Sequence, residues 1–203
     1  IYRDGYYYLF LAYGSLSVEY NTRVCRSRNI DGPYVDIHGN SAMGSAQLYP
    51  ILTAPYRFDN SYGWVGISHC GIFDDGAGNW FYTSQGRFPV NVGGNEYSNA
   101  IMMGHVRSIR WDANGWPLVM PERYGAVPQA PITENEIAGD WEHLALTNST
   151  GTQRTSETMT YDLDTHKITS GSWKNATWTF DAATQTITTS AGVVLYLQRE
   201  VDW

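Results

Sequence analysis

The residue with the most chemical promise is His69, in Gly66-Ile67-Ser68-His69-Cys70-Gly71, between two apolar stretches and just before a hairpin signal. An imidazole so placed can ligate an ion or orient a substrate, or it can sit hydrogen-bonded in a core with no chemistry. Cys70 beside it does not complete a Cys–His nucleophile in a strand, because neighbouring strand residues face opposite sides. A zinc site wants three or four closely spaced Cys and His ligands, whereas His38, His105, His143 and His166 are scattered. Cys70 therefore reads as a small buried hydrophobe. Cys25 and Cys70 are too few for a disulfide scaffold, and their spacing leaves their pairing open.

Hydrolysis of a glycosidic bond calls for two carboxylates. Asp4, Asp31, Asp74, Asp75 and Asp112 fall in turn sequences and read as turn formers. Glu19, Asp59, Glu96 and Glu122 remain, and nothing in their spacing pairs any two. Phosphate loops, nucleophile elbows and His-Glu zinc motifs are missing. The chain does not display a complete active site in its own residues. Thirteen basic and twenty acidic residues leave a net charge of −7 with no basic stripe, which argues against nucleic acid as a partner. The longest apolar run, residues 6–13, is far short of the roughly 18 residues of a membrane helix. No signal-peptide pattern opens the chain at Ile1-Tyr2-Arg3, so the expectation is a removed propeptide or an upstream continuation. Aromatics make up 14% of the residues, enough to line sugar-stacking surfaces, although most must serve ordinary β-sheet cores.

Short strands joined by tight turns must position these groups, and the class is all-β. Residues 1–128 hold 22 of the 29 aromatics but three of the 18 threonines, and carry nine Arg and no Lys. The composition reverses beyond Pro128-Gln129-Ala130-Pro131, which places a domain boundary at residues 128–136. In the first part an Asp/Gly turn feeds an aromatic strand twice: Asp4-Gly5 before Tyr6, and Asp74-Asp75-Gly76 before Trp80. A strand over 65–73 enters the second turn, and 22–27 and 100–111 supply further strands. Three or four short strands per unit suit β-propeller blades, with a β-sandwich of irregular hairpins as the alternative. The second part, 137–203, repeats at 19 residues: Asp162-Leu163-Asp164-Thr165 matches Asp181-Ala182-Ala183-Thr184. Each is a turn between strands of a small β-barrel or sandwich, and no helix longer than one turn is expected.

Longer motifs narrow the field. Tyr6-Tyr7-Tyr8-Leu9-Phe10-Leu11-Ala12-Tyr13-Gly14-Ser15, Tyr20-Asn21-Thr22-Arg23-Val24-Cys25-Arg26-Ser27 and Asp31-Gly32-Pro33-Tyr34-Val35-Asp36 strongly resemble glycoside hydrolase family 43. Gly115-Trp116-Pro117-Leu118 and Ile137-Ala138-Gly139-Asp140-Trp141 look like the end of that family's propeller and the start of its extra C-terminal β domain. The resemblance implies the last blades of a five-bladed propeller over 1–128, and a secreted enzyme that cuts α-1,5-linked arabinan with inversion. It implies catalytic carboxylates upstream of Ile1, on a propeller segment that would be this chain's partner. It also implies that His69, in Ser68-His69-Cys70, faces the central channel and helps hold a calcium ion otherwise bound by water. Further strands would follow Trp203. A binding module that holds polysaccharide without cutting it is the alternative reading.

Overall fold

The computed structural model describes residues 1–16, 18–44, 47–147 and 152–201. They form two bodies, Ile1–Pro121 with Ala145–Thr155, and Glu122–Leu144 with Ser156–Trp203. Both are built from strands. Among the described residues the helical segments are two single 3₁₀ turns, Ser98–Ala100 and Glu134–Glu136.

In the first body β1 (Tyr2–Arg3), β2 (Tyr6–Tyr13), β3 (Asn21–Ser27) and β4 (Ile51–Thr53) pair in sequence order as one antiparallel sheet. The β1–β2 hairpin closes because Asp4 and Gly5 take φ of 47° and 82°, the left-handed pair of a type I′ turn, which sets Arg3 opposite Tyr6. After β5 (Tyr56–Arg57), a second antiparallel sheet follows the same plan with β6 (Gly71–Asp74), β7 (Trp80–Gly86), β8 (Met103–Trp111) and β9 (Pro117–Val119). The strand expected over 65–73 is cut to Gly71–Asp74. Gly66 at φ 69° and His69 at φ 59° break the extended backbone, and Val65 bridges Arg87 instead.

One loop design recurs three times in this body. Asp36, Asp75 and Asp112 each accept amide hydrogen bonds through Oδ1 from residues two and four positions on, at 2.7–3.0 Å. Each loop needs left-handed backbone at its fourth position, and Gly39, Gly78 and Gly115 supply it at φ 81°, 98° and 78°. The Asp36 copy, in Asp36-Ile37-His38-Gly39-Asn40, was not evident from sequence spacing.

The two sheets meet through Tyr8, Val24, Leu52 and Trp116, which form a buried cluster. The Arg26 guanidinium lies 4.2 Å from the ring centres of both Tyr6 and Trp116, and donates to the Asn114 carbonyl at 2.6 Å. Tyr8 Oη donates to the Gly115 carbonyl at 2.5 Å. The hairpin of one sheet is thus tied to the Asp112 loop of the other.

The second body opens with β10 (Gly139–His143). The chain then returns to the first body, where β11 (Arg154–Thr155) lies parallel to β5. Two three-stranded sheets complete the second body: β10 with β12 (Glu157–Asp162) and β13 (Lys167–Ile168), and β14 (Trp178–Asp181) with β15 (Thr186–Thr189) and β16 (Val194–Tyr196). Their core is Ile132, Ile137, Met159, Tyr161, Ile168, Trp178 and Ile187. The 19-residue repeat is a repeated turn: Asp162 and Asp181 accept the amides of Thr165 and Thr184, and His166 and Gln185 share φ of 51°. The border differs from the sequence expectation. Residues 122–136 belong with the second body because Ile132 and Ile137 enter its core, and 145–155 belong with the first because β11 pairs there. Residues 202–203 of the expected domain lie outside the described ones.

The turn before β10 is closed by Glu136, whose carboxylate accepts from the Thr133 amide and hydroxyl, both at 2.8 Å, and from Arg199 at 2.7 Å. These bonds, led by the Thr133 amide, hold its pKa down to about 2. A depressed carboxylate pKa stabilises the fold above the unfolded value and loses that contribution as pH falls through the folded one. Thermal unfolding of the second body should therefore shift to lower temperature between about pH 4.5 and pH 2. Glu136→Gln should flatten that part of the profile when the midpoint is followed against pH.

Candidate functional site

The segment that carries His69 is anchored from below by hydroxyl groups. Thr22 Oγ1 lies 2.8 Å from both Ser68 Oγ and Tyr82 Oη, and Ser68 Oγ donates to the Asn21 carbonyl at 3.0 Å. Thr53 Oγ1 donates to the Ile67 carbonyl at 2.7 Å and lies 3.1 Å from Tyr82 Oη. Each hydroxyl has one proton, which fixes the direction of the chain. Ser68 and Thr53 spend theirs on carbonyls, so Thr22 must donate to Ser68, and the Tyr82 proton goes to Thr22 or to Thr53. All four side chains are buried, and burial pushes the Tyr82 phenol up to about 12, so it stays protonated as the first donor.

This support ends at His69, which occupies a left-handed bend with an exposed side chain. Tyr20 Oη lies 3.4 Å from its Nδ1, engaging one ring nitrogen and leaving Nε2 for a ligand. His69 is not in a strand, so the alternation that set it opposite Cys70 does not apply. Cys70 is nonetheless a poor nucleophile, because burial raises its thiol pKa. Cys25, opposite Leu9 in the β2–β3 pair, is pushed up to about 11, also by burial. Both cysteines are free thiols, which answers the pairing left open by their spacing.

The remaining candidates do not converge. Asp59 and Glu96 sit in exposed segments of the first body, Glu19 is half-buried in the β2–β3 connection, and Glu122 belongs to the second body. Asp4 and Asp31 are in turns and Asp75 and Asp112 head loops, as their sequence contexts indicate, whereas Asp74 is the last residue of β6. Among the described residues no three His, Cys, Asp or Glu side chains gather where a metal could be held. No helix among them is long and apolar enough to cross a membrane.

Sequence reasoning missed two buried arginines of the first body. Arg23 is almost wholly buried. It donates to Asn21 Oδ1 and Gln47 Oε1, each at 2.9 Å, and lies 4.6 Å from the Tyr13 ring centre. Arg107, equally buried, donates to Tyr56 Oη at 3.1 Å and to the Pro121 carbonyl, and contacts His105 Nδ1 at 3.2 Å. The absence of Lys from residues 1–128 was the available signal, since only a planar guanidinium both stacks on rings and forks to carbonyls.

Two four-stranded antiparallel sheets with one shared hairpin-and-loop plan, followed by a small antiparallel β domain, define part of a β-propeller with an appended module. The chain belongs to glycoside hydrolase family 43: residues 1–117 match the model described as glycosyl hydrolases family 43, and residues 121–202 match a C-terminal lipocalin-like domain. An extracellular endo-α-(1→5)-L-arabinanase 2 of Bacillus subtilis is 29% identical over 157 residues, covering 68% of this chain and 32% of the relative. An extracellular endo-α-(1→5)-L-arabinanase of Thermotoga petrophila is 30% identical over 156 residues, with the same shares. The chain thus spans about a third of the length of these relatives. A crystal structure of the Thermotoga petrophila endo-1,5-α-L-arabinanase superposes with a TM-score of 0.76 at 24% identity, over 93% of this chain and 44% of that one. A family 43 glycoside hydrolase from Bacillus licheniformis gives 0.74 at 26% identity, over 92% and 44%.

The directed hydroxyl chain makes a prediction of its own. Tyr82→Phe removes its first donor while Thr22 and Thr53 keep their own protons satisfied, so the loss should be about 1 kcal/mol. Urea unfolding of the first body should show a lower midpoint with an unchanged slope.

Proposed function

We propose that this chain is the C-terminal portion of a secreted enzyme that hydrolyses α-1,5-linked arabinan with inversion. The observation that carries this reading is the match of 68% of the chain to two relatives that are both named extracellular endo-α-(1→5)-L-arabinanases. Inverting hydrolysis needs one carboxylate to activate water and a second to protonate the leaving oxygen, about 6.5–9.5 Å apart. The resemblance to family 43 implies that both lie on a propeller segment upstream of Ile1.

The part given to this chain is His69. With Nδ1 near Tyr20, it can offer Nε2 to an ion or to substrate. Calcium, the ion expected from the family resemblance, prefers six to eight oxygen ligands, so a single imidazole among waters would be an unusual shell for it. Such an ion would act through its charge, shifting the pKa of a nearby acid.

The complete polypeptide incubated with linear α-1,5-arabinan should release oligosaccharides whose new reducing ends appear first as the β-anomer by proton NMR. Arabinan that is bound and left uncut would point to the polysaccharide-binding module instead. His69→Ala should lower kcat/KM on arabinan about tenfold or more, the scale of one lost electrostatic stabiliser. It should also abolish any rise in thermal midpoint that calcium gives the wild type. Full activity in that variant would remove His69 from the mechanism.

A further inference from the structure

Residues 153–155 form a strap on the first body. β11 runs beside β5, and Gln153 Nε2 donates to the Tyr56 and Tyr62 carbonyls at 3.1 and 3.0 Å. Arg57 Nε donates to Thr155 Oγ1 at 3.2 Å, which orients the guanidinium along the strap. Beside it opens a groove of about 510 Å³, a size typical of small-molecule and oligosaccharide sites. Val18, Val65, Pro89 and Val90 give it apolar walls, while Arg57 and Asn99 bring planar polar groups. The Arg57 Nη atoms have no hydrogen-bond partner among the described residues, and no carboxylate lines the groove.

We propose that this groove binds furanose residues of the arabinan chain, with Arg57 as the specificity-determining group. The proposal rests on the arabinan reading above. An α-1,5 linkage consumes O1 and O5 and leaves O2 and O3 of every residue free as a vicinal diol. A planar guanidinium or amide matches two neighbouring oxygens with parallel donors, as it matches the two of a carboxylate. The C–H surfaces of the sugar then face the valines and proline, whose burial adds a non-directional contribution. With no acid in the lining to oppose it, Arg57 would also accept an anionic sugar, so the test must separate neutral from acidic glycans.

The complete enzyme, Arg57→Ala and Val90→Trp should be compared on linear arabinan and on arabinotriose, with polygalacturonate as an acidic competitor. Val90→Trp fills the groove without removing a strap hydrogen bond, and circular dichroism confirms that both variants are folded. The ratio of kcat/KM on arabinan to that on arabinotriose should fall about fivefold or more in both variants, the equivalent of one lost hydrogen bond. An unchanged ratio in folded variants overturns the groove while leaving the arabinan reading intact. So does inhibition of the wild type by polygalacturonate that Arg57→Ala relieves without any change in the ratio. A wild type that does not hydrolyse arabinan overturns the reading and the groove together.

Discussion

A proton count governs the middle of the first body. Four buried hydroxyls share four protons: Tyr82 donates to Thr22 or Thr53, Thr22 to Ser68, Ser68 to the Asn21 carbonyl and Thr53 to the Ile67 carbonyl. That order joins β3, β4 and β7 to the stretch before His69. It fixes Ser68 and Ile67 from two sides; the next residue, His69, takes a left-handed bend and its side chain is exposed. A buried hydroxyl whose proton is left without a partner would cost about 1–3 kcal/mol.

Charge in this body is handled by stacking. Arg26 lies between two rings, Arg28 caps the same Tyr6 ring at 3.7 Å, and Arg3 lies 4.2 Å from the Trp111 ring centre. A lysine would present a compact, strongly hydrated ammonium and no flat face. The aromatic surplus and the exclusive use of arginine are therefore one feature seen twice. The acidic residues are absorbed differently, by three loops in which an Asp accepts its own loop's amides. Burial alone would raise the Asp36 pKa. The side chain and amide of Asn40, with the amides of Tyr49 and His38, outweigh burial and lower it.

Much of the architecture was legible because it is local. Asp4-Gly5, Asp75-Gly76 and the 19-residue turn repeat prescribe backbone angles at named positions, and the structure has them there. The family followed from motifs long enough to be specific. What escaped the sequence is non-local or brief: β4, β5 and β11 have three residues or fewer, and β11 exists only because β5 lies beside it. His69 stood out as a candidate, but its bend did not, because a left-handed histidine leaves no compositional trace. The groove was invisible for the same reason as β11, since Arg57 and Thr155 are 98 residues apart.

The excursion of residues 145–155 also changes how the chain can be divided. The polypeptide passes between the two bodies three times, after Pro121, after Leu144 and after Thr155. One backbone scission between Pro121 and Glu122 would leave the downstream fragment still contributing a strand to the β5 edge. A truncation at the same point would strip that strand and the Gln153 amide from the first body. The modules of this architecture are thus interleaved, and evolution could exchange the C-terminal one only together with the strap, or by first rebuilding the edge that the strap covers.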